Sequence, residues 1–491
     1  MRFALLAAIA ALCGGTSCGS ARTASHSAPP AALAAFPATR WVPEKPTYVL
    51  AAPSVKDAQR SLRDTVDSIG MFGGVGVADV SAALSRLLSV DPLSTEALAG
   101  MGIDVEGGLA MFSDSLSPTF VVRLAAPDQT NAFFDRLRER GMVTQSVIVE
   151  GAEVFTAQLL ANVRVSWAIA DGWLWVHFAL PIDPAQGSEW FSTSRKARGA
   201  KWASDWNWAQ GATRSAKPAL TGFIDAGALL GSLTPKLGDA IACTRLLAPV
   251  GRIGLSIEGD GSRATGRIAI DVGPAIASIT SALMPVPEGF AAQTQGAPLV
   301  AQWNLDLLAV RAWMQPCMSM WKGNLAVLDT YGVRSGRAVL QTFDPADRSG
   351  SGAITLDLAH KKFFASQLDE IPLRSTLERN RTFGPHKGHS IAVPFVATLD
   401  YVLTDNLALA AVGEGLLAKV VGTGRTVAGP IGAVDILPPA MSPEAWKTIL
   451  GMIDRSYAEV LVERLMRWRE GHIAVTIEGS SLLVAATGVR R

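Results

Sequence analysis

Short apolar runs rich in β-branched and aromatic residues alternate along the chain with segments of helical spacing, and turn residues punctuate both. The run YVLAAP at 48–53 predicts a strand leading into a helix near 55–69, with further helices near 78–90 and 128–140. In the second half, PLVAQWNL at 298–305 predicts a strand leading into a helix near 306–315. The clearest helix opens at Ser442, a good N-cap, with Pro443 at the first helical position. Trp446, Ile449, Ile453, Tyr457, Val460, Leu461, Leu465 and Trp468 then fall on one stripe, and Gly471 supplies the stop. Strands arranged as hairpins beside helices indicate an α+β fold with antiparallel sheets, not a parallel array.

The pattern is written twice. LAGMGIDVEGGLAMF at 98–112 parallels LDTYGVRSGRAVLQTF at 328–343, with Gly102 falling on Gly332. TFVVRL at 119–124 matches AITLDL at 353–358, and each precedes a helix with a double phenylalanine, Phe133-Phe134 and Phe363-Phe364. VSWAIADGWLWVHFA at 165–179 matches TLDYVLTDNLALAAV at 398–412. Asp171-Gly172 and Asp405-Asn406 interrupt these runs, and both dipeptides tolerate the positive φ of a two-residue hairpin turn. GRIGLSIEG at 251–259 matches GHIAVTIEG at 471–479. Four matches in one order predict a tandem duplication of an antiparallel-sheet unit with packed helices. The first unit is expected over 46–272, a Pro/Gly-rich linker over 273–297 and the second unit over 298–491.

The first residues read as an address. Arg2 precedes an apolar run from Phe3 to Leu12, followed by small residues, the layout of a secretory signal over 1–17. The small-residue stretch ending at Cys18 resembles the lipobox of bacterial lipoproteins, although Gly15 stands where that pattern has leucine. The resemblance implies diacylation of Cys18 and, with Gly19 rather than Asp next, delivery to the outer membrane. Residues 18–45 are rich in Ala, Ser, Pro and Thr and are expected to form a flexible tether. The combination of signal, cysteine site, tether and Trp-rich body is similar to uncharacterised lipoproteins of Gram-negative envelopes.

Composition narrows the function. The 491 residues are 49% hydrophobic and 18% charged, with a net charge of +1, so nucleic acid is not an expected partner. No Gly-rich loop has the spacing or the lysine of a phosphate-binding motif, and no cofactor is expected. Ser390, in Gly388-His389-Ser390, comes near a nucleophile elbow, but β-branched residues follow it where a helix is required. Ser319 and Lys322 match a Ser-x-x-Lys pair without the Lys-Thr-Gly strand that should accompany it. His386 and His389 read as a solvated loop, since no further metal ligands lie near them. No catalytic set and no metal site is therefore assigned.

Three features remain open. Cys243 and Cys317 either close a disulfide or stay as two separate thiols. Trp190, Trp202, Trp206 and Trp208 are interleaved with Arg195, Lys196, Arg198 and Lys201. That composition fits an interface or ligand patch, or else rings packed on the hairpin near Trp173 and Trp175 with the cations facing water. The expected function is a non-enzymatic, lipid-anchored envelope protein that binds or scaffolds an unknown protein or glycan. A periplasmic carrier of an apolar ligand is the alternative, suggested by a mean hydropathy of +0.25, with a serine hydrolase behind it.

Overall fold

The computed structural model describes residues 34–73, 85, 91, 94–160, 163–180, 189–196, 201–233, 250–287, 294–309, 326–347, 349–371, 374–393, 397–421, 426–427, 429–453 and 458–491. The chain is a mixed helix-and-strand protein dominated by antiparallel pairing, and it divides into two compact units at Gly273/Pro274.

In the first unit, β1 (Tyr48–Ala52) pairs on one side with β2 (Leu109–Ser113) and on the other with β8 (Leu220–Asp225). From β2 the sheet runs to β3 (Thr119–Arg123), which pairs with β7 (Trp173–Ala179). It then steps back through β6 (Val163–Ala170), β5 (Ala152–Leu160) and β4 (Thr144–Val149). On the other side β8 leads to β9 (Arg252–Gly259) and β10 (Arg263–Asp271). The order is therefore 10-9-8-1-2-3-7-6-5-4. The helices are α1 (Val55–Gly73), α2 (Thr95–Gly100), α3 (Pro127–Glu139), α4 (Glu189–Arg195), α5 (Ala203–Thr213) and α6 (Ala226–Leu233).

The sheet alternates inward residues onto two cores. Trp167, Leu174, Phe134 and Phe155 share one core with α3. Val49, Phe112, Trp173, Trp175 and Phe223 share the other with α4 and α5. Phe36, Ala38 and Val42 join this second core through a short 3-10 turn at Pro37–Trp41. The expected tether over 18–45 is thus corrected: apolar residues from Phe36 onward are folded into the unit, because their rings find a buried surface that a polar tether would forgo.

The second unit adds helices α7 (Ile276–Ser281) and α8 (Ala326–Tyr331), with a two-residue pair formed by β11 (Val286–Pro287). Its sheet begins with β12 (Leu299–Trp303), held between β13 (Val333–Asp344) and β20 (Gly432–Ile436). From β13 it continues to β14 (Ser349–Leu358) and β18 (Leu407–Val412), then back through β17 (Ala397–Leu403), β16 (His386–Val393) and β15 (Glu378–Phe383). From β20 it runs to β21 (Trp468–Glu478) and β22 (Ser481–Arg490). The remaining elements are β19 (Thr426–Val427), which pairs with β11, and helices α9 (Lys362–Asp369), α10 (Arg374–Leu377), α11 (Leu416–Val420), α12 (Pro443–Ile453) and α13 (Ala458–Leu465). The order, 22-21-20-12-13-14-18-17-16-15, is that of the first unit strand for strand.

Local bonding follows the same correspondence. Gly102 O accepts from Ala125 N at 2.9 Å and Gly332 O from Ala359 N at 2.7 Å. Leu124 N donates to Gly172 O, and Leu358 N to Asn406 O, each at 2.9 Å. The registers correct the alignment of 165–179 with 398–412 by one residue. Phe155 pairs with Trp167 where His389 pairs with Tyr401, so Trp167 corresponds to Tyr401 and not to Asp400.

Three further expectations change. Asp171 and Gly172 adopt φ of +52° and +76°, but Asp405 and Asn406 turn without a left-handed residue. His386 and His389 lie in β16, after a turn at Gly384 and Pro385, so the loop reading is wrong. The C-terminal helix is capped as expected, with Ser442 Oγ accepting from Ala445 N at 3.1 Å. It ends sooner, however: α13 stops at Leu465, Trp468 opens β21, and Gly471 sits inside that strand. Most of the helix expected at 78–90, and of that at 306–315, lies outside the described residues; 307–309 are helical.

Gly102 and Gly332 adopt φ of +84° and +62°, and a Cβ would meet Ala126 O at 2.2 Å and His360 O at 2.9 Å. Left-handed backbone costs a residue with a side chain about 1–2 kcal/mol before any clash. Gly102→Ala should therefore lower stability by more than about 2 kcal/mol, and Gly332→Ala by less, as measured by urea titration.

Candidate functional site

The Trp-rich segment is core. Trp206 is fully buried, Trp202 is nearly so, and Trp190 and Trp208 pack against the same cluster. Phe36 meets Trp206 edge-on at 5.2 Å between centroids, and Trp202 meets Trp206 at 5.8 Å. Trp190 stacks on His177 at 5.0 Å, and Trp208 lies under the Arg252 guanidinium at 4.4 Å. The cations are tied down as well. Arg195 donates to Asp171 Oδ2 at 2.9 Å and to Glu150 O at 2.8 Å, clamping the two hairpin turns, β4–β5 and β6–β7. Lys196 pairs with Glu150 and Lys201 with Glu44. An interface patch needs exposed rings, so that reading is corrected for Trp202 and Trp206; Arg198 lies outside the described residues.

The other sequence candidates are not brought together. Ser390 is buried in the middle of β16, on the face opposite its neighbour His389, and His386, which shares its face, lies four residues along the strand, about 13 Å away, so no histidine of that strand serves it. Cys18, Cys243, Cys317, Ser319 and Lys322 lie outside the described residues. Among the described residues, no group of three or more His, Cys, Asp or Glu could hold a metal ion.

A site that the sequence did not reveal lies in the second unit. A cleft of about 170 Å³ is lined by Lys361, Leu368, Asp369, Arg374, His389 and Tyr401, with Ala365 and Leu403 also at its wall. Lys361 caps α9, which supplies Leu368 and Asp369, Arg374 opens α10, and the neighbouring strands β16 and β17 supply the two rings. His389 and Tyr401 stack at 5.2 Å and 25°. Arg374 organises the polar side: Nη1 donates to Asp369 at 2.8 Å and Nη2 to the Tyr401 hydroxyl at 3.0 Å. Its Nε lies 3.3 Å from Glu378 Oε2, and Glu378 accepts the Tyr401 hydroxyl proton in a hydrogen bond. His389 Nδ1 lies 3.2 Å from Glu378 Oε1, and Lys361 pairs with Asp405 at 3.1 Å.

The first unit fills the corresponding place with rings. Trp167 stacks on Phe155 at 5.4 Å and on Phe134 of α3 at 4.4 Å. In the second unit the strand pair is His389 and Tyr401, and α9 offers Ala365 and Leu368. Smaller and more polar side chains leave a solvent-facing cleft where the first unit has a stack of three rings.

Two groups at the cleft, Tyr401 and Glu378, are shifted by their neighbours. Burial, then the hydrogen bond to Glu378, pushes the Tyr401 phenol up to about 12 against the pull of Arg374. Burial alone would raise Glu378, but the Tyr401 hydroxyl, Arg374 and His389 together hold its carboxyl below the usual range. General acid–base work at neutral pH asks for a group tuned toward that pH, and these two are moved away from it.

No known protein family matches the chain, and no curated protein does. Among solved structures, crystal forms III, IV and I of TP0453 are similar at 13%, 13% and 12% identity. They cover 48%, 50% and 48% of this chain and 80%, 84% and 79% of theirs, with TM-scores of 0.28, 0.27 and 0.27. At that level the likeness carries no argument about fold or function.

Two outcomes follow from the geometry. Trp206→Ala empties a fully buried site and should cost about 3–5 kcal/mol in chemical denaturation, whereas Arg195→Ala, at a surface pair, should cost about 1 kcal/mol or less. Spectrophotometric titration should find one of the four tyrosines ionising near pH 12, and Tyr401→Phe should remove that step. Because the folded pKa of Tyr401 is raised, its contribution to stability is whole below about pH 10 and lost as pH climbs through about 12. Glu378 is depressed, so its contribution holds above the usual carboxylate range and is lost as pH falls through the lowered value.

Proposed function

We propose that this chain is a non-enzymatic envelope protein, exported and anchored to the outer membrane through an acylated Cys18, with a body that binds or scaffolds. Its two units derive from one duplicated unit, and the cleft at Tyr401 is the place where the second copy has specialised. The observation that carries the binding role is the contrast at one position: Phe134, Phe155 and Trp167 close the first unit, while His389 and Tyr401 leave the second open and charged. Duplicated scaffolds can keep one copy for stability and free the other for recognition, since a filled stack contributes packing that an open cleft gives up. Hydrogen-bonding groups of both signs line the cleft, which suits a polar protein or glycan group better than an apolar ligand.

Refilling the cleft tests the site. In the double variant His389→Phe, Tyr401→Trp, the second unit takes on the aromatic pair of the first. Native mass spectrometry of the chain purified from its own envelope should show a bound species on the wild type that this variant lacks. Identical spectra from folded wild-type and variant protein would sink the assignment. The anchor has its own test: Cys18→Ser should move the protein from the membrane fraction to the soluble envelope fraction, and an unchanged distribution would refute acylation at that residue.

A further inference from the structure

The first unit ends on an edge that lacks the usual protection. β4 (TQSVIV) pairs with β5 on one side, and among the described residues no strand covers the other. It holds no charge, proline or glycine, and it is flanked by Val143 at 82% exposure, with Val147 at 50% and Ile148 at 69% within it. Natural sheets blunt such edges with charges, prolines or bulges, because free N–H and C=O groups invite another strand. The corresponding edge of the second unit does so: β15 (ERNRTF) carries Glu378, Arg379 and Arg381.

We propose that β4 is a self-association edge, pairing antiparallel with β4 of a second copy of this chain. The charges flanking the strand argue for a second copy. Arg136 and Arg140, which outweigh Glu139, precede it, and Glu150 and Glu153 follow it. Arg136, Arg140 and Glu153 are exposed, and Glu150 already holds Lys196. An antiparallel pair related by a two-fold axis lays the basic end of one strand beside the acidic end of the other and closes after two chains. Near the centre, Val147 faces its own counterpart or a neighbour, and β-branched pairs stabilise the ladder. The inference is independent of the cleft and of the lipid anchor.

Sedimentation velocity of the full chain carrying Cys18→Ser, which excludes any acyl contribution, should show a monomer–dimer equilibrium between about 1 and 100 µM, the range expected of a small interface. Val147→Lys, at a half-exposed position, should weaken the dimer about tenfold or more, as should Val147→Glu, because like charges then face each other. Mixing the Lys and Glu variants should restore dimers, a result that pairing with any other surface would not give. If Val147→Lys loses the wild-type circular dichroism, Gln145→Lys carries the same test at another exposed residue of the strand. A wild type that stays monomeric, or variants that dimerise unchanged, overturns the proposal. So does a monomer that floats with phosphatidylglycerol vesicles and loses flotation in Val147→Lys, since the edge would then face lipid.

Discussion

Each unit is organised by one strand that must satisfy its backbone on both sides at once. β1 hydrogen-bonds to β2 and β8, and β12 to β13 and β20, although the two partners are far apart in the chain, separated by residues 114–219 in the first unit and by 345–431 in the second. Closing such a pair means that everything between them folds as an excursion that leaves on one side and returns on the other. The excursion is the run from β2 to β7, or from β13 to β18, and its meander supplies the outer half of each sheet. Left-handed glycines at Gly102 and Gly332 let the chain bend tightly at the entrance to this run, where the backbone after β3 or β14 donates to them.

Given that shared frame, the two units spend their side chains differently. The first commits aromatic residues to both faces of its sheet: Phe134, Phe155 and Trp167 on one, and Trp41, Trp173, Trp175, Trp202 and Trp206 on the other. The second has Val402 and Leu409 on the face under α11, which packs Leu416 and Leu417 onto them, and polar groups on the face under α9. Aliphatic packing on one face is enough to hold a helix, and it leaves the opposite face free to carry charge. The charges there neutralise one another, Arg374 among Asp369, Glu378 and the Tyr401 hydroxyl, so that a half-buried guanidinium is not left alone.

Tyr401, Glu378 and Arg374 are held in place by one another. A phenol that donates to a carboxylate, with an arginine bridging both, locks three side chains into one geometry. Rigid polar groups of this kind lower the entropy lost when a partner docks. The Trp-rich segment of the first unit serves a different end. Its cations clamp the hairpin turns at Glu150 and Asp171, and its rings seal a core that the segment from Phe36 completes.

Much of the architecture was legible without coordinates, because strands and helices leave periods of two and about 3.6 in the positions of apolar residues. The α+β class, the strand at 48–53, the helices at 55–69 and 128–140, the Ser442 cap and the match of Gly102 to Gly332 all follow from local chemistry. The register did not. An alignment one residue off set Trp167 against Asp400, and it hid the contrast between the ring stack of the first unit and the His389–Tyr401 pair of the second. Nor could sequence foresee that Phe36 would leave the tether or that Trp468 would start a strand, and it left Trp202 and Trp206 open between a surface patch and the packed rings that the structure shows. Local sequence fixes which way each residue can turn; which face meets which, and so whether a tryptophan is core or a tyrosine lines a cleft, depends on pairings between residues far apart in the chain, and those are set only when the whole sheet closes.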